Sequence, residues 1–217
     1  MIQRYDTANL HTMCGVVAAQ DGDLKKIVET YGYPPLWVRP NTFATLVLII
    51  LEQQVSLASA YAAFKKLQEK LDTITPENLL QLSDDDLRAC YFSRQKISYV
   101  RGLAAAILQG VINLAQFDEE PDDDVRATLK KLNGIGDWTV DIYLIHALRR
   151  CDIFPVGDLA LVNAMKSMKG MPATTTKEQL LQIAEAWRPH RTFATLLFWH
   201  YYIQTRGIGP MSPGGGT

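Results

Sequence analysis

Apolar residues recur along this chain at helical spacing, and no stretch of useful length alternates as a half-buried strand does. The pattern predicts a series of short helices set off by capping residues, prolines and glycines. FATLVLIILEQQ (43–54) is apolar on nearly every side, as an interior helix is, with Asn41 as its expected N-cap. Ser56 is placed to cap LASAYAAFKKLQEK (57–70), and Thr75-Pro76 offers an N-cap followed by proline at the first helical position. Ser83 precedes DDDLRAC, whose acids stand in the first turn where the helix dipole favours them. Residues 94–109 read as a further helix stopped near Gly110, and Pro121 with its acids opens another that runs to Lys131. Thr176-Lys-Glu-Gln179 has the form of a capping box ahead of LLQIAEAW, and residues 191–205 make a last, strongly apolar helix ended near Gly207. The fold class expected is all-α, and the tail MSPGGGT (211–217) is expected to be disordered.

Composition narrows the picture only slightly. With 217 residues, 47% apolar and 21% charged, the chain is an ordinary globular one, long enough for a sizeable core. A net charge of -1 and a pI near 6.4 exclude a globally basic nucleic-acid binder, although local patches decide steering. Acids cluster in DEEPDDD (118–124) and Asp84-Asp85-Asp86; bases gather at Arg94, Lys96 and Arg101, at Lys130 and Lys131, at Lys166 and Lys169, and at Arg188 and Arg191. Such runs are solvated faces by default. Cys14, Cys90 and Cys151 stand far apart without a C-x-x-C, so neither a disulfide framework nor a zinc or iron–sulfur site is expected. The scattered His11, His146, His190 and His200 read as surface or interface residues. MIQRYDTANLH lacks the apolar core of a signal peptide, and the apolar stretch around Leu46–Leu51 is too short to span a bilayer. The expectation is a soluble intracellular protein, cytoplasmic or nucleoid-associated.

The chemistry-bearing stretch is LNGIGDWTVDIYLIHAL (132–148), inside a helix–turn–helix pattern at 124–149. Gly134 and Gly136 allow a tight bend that exposes main-chain N–H groups at a helix N-terminus, a site that attracts phosphate oxygens without reading sequence. An isolated G-x-G is more often a plain corner between helices. Beyond it, Phe154-Pro155-Val156-Gly157 leads to Asp158. By itself Asp158 reads as the N-cap of LALVNAMKSMKG, a role that favours the ionised carboxylate.

Several segments together carry a resemblance. L-N-G-I-G-D-W-T-V resembles the hairpin of the helix-hairpin-helix DNA repair glycosylases, and Phe154-Pro155-Val156-Gly157-Asp158 resembles their Gly/Pro-rich loop with its aspartate. LEQQVSLASA (51–60) is similar to their I-x-x-Q-Q-x-S segment. Ser93, Lys96, Ile97, Tyr99 and Val100 fall in their S-x-x-K-x-x-Y-[IV] helix. Trp187-Arg188-Pro189-His190-Arg191-Thr192 is similar to the W-[KR]-P-[WY]-R-[ST] pattern of the type II 3-methyladenine DNA glycosylase branch. The likeness runs from about Leu24 to Ile203.

That resemblance implies a two-lobed, all-helical fold: residues 1–38 with 153–210 in one lobe, 39–152 in the other, and a cleft holding Asp158. It implies a monofunctional enzyme that excises alkylated purines of the 3-methyladenine and 7-methylguanine type from double-stranded DNA. Asp158 would stabilise the cationic sugar, and Trp138 and Trp199 would line the base pocket. Gly134, Ile135, Gly136, Thr139, Gln53, Gln54 and Ser56 would contact DNA, with Gln54 filling the gap a flipped base leaves. The carbonyls of Lys130, Leu132 and Ile135 would hold a sodium or potassium ion; no other cofactor is implied, and the enzyme is expected to be a monomer. Bifunctional relatives carry a lysine nucleophile where this chain has Trp138, which implies hydrolysis without strand cleavage. Where one branch has a pocket tyrosine, this chain has Ile142, so another lesion such as uracil or 8-oxoguanine is the alternative within the fold. A non-enzymatic binder of damaged DNA is the alternative outside it. Arg191 is a DNA contact or a structural pair.

Overall fold

A computed structural model of the chain describes residues 3–207. The tail expected to be disordered, 211–217, lies outside the described residues. The helices in chain order are α1 (Leu10–Gln20), α2 (Gly22–Tyr31), α3 (Phe43–Glu52) and α4 (Leu57–Lys70). Next come α5 (Pro76–Gln81), α6 (Asp84–Ala89), α7 (Arg94–Leu108) and α8 (Asp122–Leu129). The last four are α9 (Asp137–His146), α10 (Leu159–Met168), α11 (Lys177–Ala184) and α12 (Arg191–Arg206). Among the described residues no strand forms, only an isolated bridge between Arg4 and Arg150. The all-α expectation holds.

The chain divides into two compact units, Met1–Val38 with Leu144–Thr217, and Arg39–Tyr143. The return crossing thus falls within α9 and not after residue 152, as the lobe boundary had been expected. Residues Thr139 to Leu148, from the first turn of α9 to just past its end, are all buried, so there is no solvated side at which a boundary signal can show in the sequence.

In the first unit α12 packs against α1, α2 and α10. Its residues Thr192 to His200 are all buried, which explains why this helix lacks an amphipathic pattern. In the second unit α7 packs on α3, α5 and α6, and α3 packs on α4. Capping follows side-chain chemistry closely. Ser56, Thr75, Ser83, Ser93, Asp158 and Thr176 each accept an N–H from the first turn of their helix, and Ser83 and Thr176 complete capping boxes with Asp86 and Gln179. Asp84–Asp86 and Asp122–Asp124 are the first turns of α6 and α8, so the acid runs serve helix dipoles. For α3 the expected cap is corrected: Thr42 caps it, whereas Asn41 sends its amide to the Leu114 carbonyl at 2.8 Å. Helix α3 also stops at Glu52, two residues short of the apolar-pattern estimate. Arg39 there holds Glu52 in a bidentate pair of 2.9 and 2.7 Å, with the carboxylate side chain only 3% exposed.

Candidate functional site

Two groups of residues carry the predicted chemistry, one in each unit. In the second unit, residues 130–136 join α8 to α9, and the two glycines of this turn differ. Gly134 has φ +85°, and a Cβ placed on it would lie 2.2 Å from ring carbons of Tyr99. Both the left-handed backbone and the flat contact exclude any other residue. Gly136 is exposed, and an added Cβ would meet nothing within 4 Å. Its carbonyl accepts the Val140 N–H at 3.1 Å, which makes it the entry residue of α9.

The turn after α3 is fastened to this hairpin. Gln53 ends α3, and its Nε2 donates to the Gly134 carbonyl at 2.8 Å and to Thr139 Oγ1 at 2.9 Å. Lys96, on α7, donates Nζ to the Leu51 carbonyl at 2.6 Å, capping the end of α3. Burial draws the Lys96 ammonium below the ordinary lysine range. Lys96 and Tyr99 lie about one turn apart on α7, so a single helix face braces both the α3–α4 turn and the hairpin. Gln54 follows with φ +58°, exposed, beside Val55 at 46% exposure. A glutamine in the left-handed region and a bared valine form a projecting tip on a fixed base.

Several expectations need correction here. Gln53 and Thr139 were expected to face DNA; instead they bond to each other, and Thr139 is 2% exposed. Ile135 is buried, and its N–H is committed to the Leu132 carbonyl at 3.2 Å. Ser56 is exposed but caps α4 through Ser59. Lys130 ties to Asp137 at 2.6 Å, and this contact holds the Asp137 carboxyl below the usual carboxylate range. The carbonyls of Lys130, Leu132 and Ile135 belong to a run of tight turns, with Leu132 N–H on Leu129 O at 3.1 Å. Leu132 O accepts one N–H and keeps a second lone pair, and neutral oxygens of this kind suit an alkali cation. Trp138 is half-buried at the start of α9, and Ile142 is buried.

In the first unit, residues 154–158 form a tight loop in which Asp158 N–H bonds the Pro155 carbonyl at 2.8 Å. Asp158 caps α10: its Oδ1 accepts the Leu161 N–H at 2.8 Å. The same oxygen accepts the indole Nε1–H of Trp199 at 2.9 Å. The expected helix cap is therefore present, and the same oxygen carries a second donor from a distant helix. Trp199 was expected to present its ring to a base, but it is 2% exposed and belongs to the core of α12. The His146 ring stacks on it, with centroids 5.4 Å apart and an interplanar angle of 10°. His146 Nδ1 lies 2.8 Å from the Trp37 carbonyl. A carbonyl only accepts, so Nδ1 carries a proton. His146 is buried and not a surface histidine. Arg191 pairs with Asp152, its Nε lying 2.8 Å from Oδ1, and that pairing explains its place in the motif structurally.

The family follows from these features together with direct comparison. The chain belongs to the HhH-GPD superfamily of base excision DNA repair proteins, which it matches over residues 47–189. It is similar to YfjP of Bacillus subtilis, at 29% identity over 184 residues, 81% of this chain and 64% of that protein. It is also similar to DNA-3-methyladenine glycosylase 1 of Schizosaccharomyces pombe, at 29% identity over 180 residues, 81% of this chain and 79% of that protein. The solved structure of a 3-methyladenine DNA glycosylase (Mag1) from that yeast, in complex with abasic DNA, superposes with a TM-score of 0.82 at 26% identity. That match covers 90% of this chain and 97% of the other.

Proposed function

We propose that this protein is a monofunctional DNA glycosylase of base excision repair. It flips alkylated purines of the 3-methyladenine and 7-methylguanine type out of double-stranded DNA and hydrolyses their N-glycosidic bond, acting as a monomer. The observation that carries this reading is the Asp158 carboxylate, fixed at the mouth of α10 by a backbone and an indole donor, in a chain with the superfamily's hairpin. Its relatives of similar length are named as 3-methyladenine glycosylases, and one of them is seen with abasic DNA.

The chemistry is economical. A purine methylated at N3 or N7 carries positive charge, so its glycosidic bond breaks with the electron pair leaving on the base. The sugar is left as an oxocarbenium ion, which the ionised Asp158 stabilises. Water adds to the sugar carbon and gives its proton to the carboxylate or to solvent. Trp138 offers an aromatic surface to a cationic base. Gly136 and the α9 N-terminus receive a phosphate, and Gln54 with Val55 forms the tip that enters the helix. The carbonyls of Lys130, Leu132 and Ile135 would hold Na⁺ or K⁺, which would supply positive charge for binding a phosphate. Trp138 stands where a Schiff-base lysine is required for strand cleavage, and Lys130 is engaged with Asp137. These features support an abasic product with an intact backbone.

The test is base release from duplexes that carry 3-methyladenine, 7-methylguanine, uracil or 8-oxoguanine. The expected result is release of the methylated purines, with nicks appearing only after alkali. Asp158→Asn keeps an oxygen for the helix cap, so it should bind DNA as the wild type does while release falls at least about a hundredfold. Undiminished release by that variant rejects the mechanism. Binding without release by the wild type points to a damage-binding protein instead.

A further inference from the structure

We infer that Trp199 is the positioning residue of the Asp158 carboxylate, acting through its indole N–H and not through its ring face. This deepens the proposed activity and rests on it. Asp158 Oδ1 accepts two donors, Trp199 Nε1–H at 2.9 Å and Leu161 N–H at 2.8 Å, which occupy both of its lone pairs. Two donors from different helices also fix the carboxylate plane, because α10 supplies the amide and α12 the indole.

The indole is itself set in place. It lies 2% exposed in the buried run of α12, and His146 covers one face of it in parallel. His146 is held in turn by its Nδ1–H on the Trp37 carbonyl at 2.8 Å. The order of support runs from Trp37 to His146 to Trp199 to Asp158, all within the unit Met1–Val38 with Leu144–Thr217. A buried, doubly fixed donor costs no reorganisation when charge develops on the sugar, which is where preorganisation gains its rate.

Trp199→Phe keeps an aromatic ring against His146 and removes the donor together with part of the buried ring volume. The expected result is about a tenfold fall in kcat for release of 7-methylguanine, the loss of one hydrogen bond to a charged group. Affinity for a duplex with an abasic-site analogue should stay within about twofold, since the indole N–H is not a DNA contact. A spectroscopic readout on a different protein tests the same bond. The chain has four tryptophans and hence four indole N–H signals in a ¹⁵N–¹H correlation spectrum. Asp158→Asn removes the charge from the acceptor and should move the Trp199 signal, identified by its loss in Trp199→Phe, more than the other three. If Trp199→Phe does not fold, selective ¹⁵N-indole assignment in the Asp158→Asn protein decides alone. Wild-type kcat in a folded Trp199→Phe, or a Trp199 signal that stays in place in Asp158→Asn, overturns the inference. Either result beside an inactive Asp158→Asn leaves the glycosylase reading intact; an active Asp158→Asn removes that reading itself.

Discussion

The hairpin of the second unit and the Asp158 loop of the first solve opposite problems. At the hairpin the proposed working groups are main-chain ones, so the side chains nearby have to get out of the way or hold the backbone from behind. Gly134 supplies the absence, with its α-carbon against the Tyr99 ring, and Gln53 supplies the hold. At Asp158 the proposed working group is a side-chain carboxylate, and two donors from different helices hold it through Oδ1. A backbone site is built by subtraction and a carboxylate site by addition. Substitutions should therefore fail in different ways: at the hairpin through backbone geometry and stability, at Asp158 through rate with the fold retained.

The largest stability effect is expected at Gly134. An alanine there combines a left-handed φ of +85° with a Cβ 2.2 Å from the stiff root of the Tyr99 ring. Left-handed strain and forced overpacking together come to about 3 kcal/mol. For a chain of this size that lowers the melting temperature by roughly 9 °C. A second substitution sharpens the point: Tyr99→Ala in the Gly134→Ala background removes the ring and should recover part of the loss relative to the two single variants added together. A thermal melt with no change in Gly134→Ala would mean that the hairpin does not rest on Tyr99.

A smaller loss is expected at Gln53. Gln53→Leu fills much the same space but leaves the Gly134 carbonyl and Thr139 Oγ1 without their donor. The cost should be about 1–2 kcal/mol, or roughly 4 °C in the melt. Because Gln54 is the next residue, the loosened turn should also weaken binding to a duplex with a flipped base more than binding to intact duplex. Equal weakening of both would reduce Gln53 to a purely structural tie.

The contrast also decides what the sequence could reveal. Backbone sites leave residue-type marks at fixed spacing, since only glycine fits Gly134 and only an N-cap type suits Asp158; both were legible as Gly-Ile-Gly and as Gly157-Asp158. Supports supplied by side chains from distant segments leave no local mark. Trp199 is 41 residues from Asp158, and nothing in the α12 pattern distinguishes an indole that bonds a carboxylate from one that merely fills space. The stack of His146 on Trp199 is hidden for the same reason, and the sequence, which suggests a surface or interface residue, carries no sign that His146 is in the core. Lys96 and Tyr99 stood in view as parts of a motif, yet their tasks, a carbonyl cap and a ring under a glycine, required coordinates. Gln53 and Thr139 were misread because a polar side chain in a turn carries no sign of whether it points outward or back into the molecule.

Gly136 gives the smallest expected effect on the fold and the sharpest test of the hairpin. An added methyl meets no atom within 4 Å, and φ lies outside the left-handed region. At a helix entry alanine is a poorer residue than glycine by a few tenths to about 1 kcal/mol. Against this, alanine narrows the unfolded ensemble by about 0.4–1 kcal/mol. The two nearly cancel, so Gly136→Ala should melt within about 2 °C of wild type. The methyl nevertheless projects into the open side of the turn, where a phosphate must come close to main-chain N–H groups at the start of α9. Fluorescence anisotropy with a duplex carrying an abasic-site analogue should then show about a tenfold loss of affinity, the equivalent of one charge-assisted hydrogen bond. Gly134 and Gly136 would thus separate by readout, one through the melt and the other through binding. Unchanged affinity in Gly136→Ala would place the DNA backbone elsewhere, and a collapse in its melting temperature would show that the open side is not open.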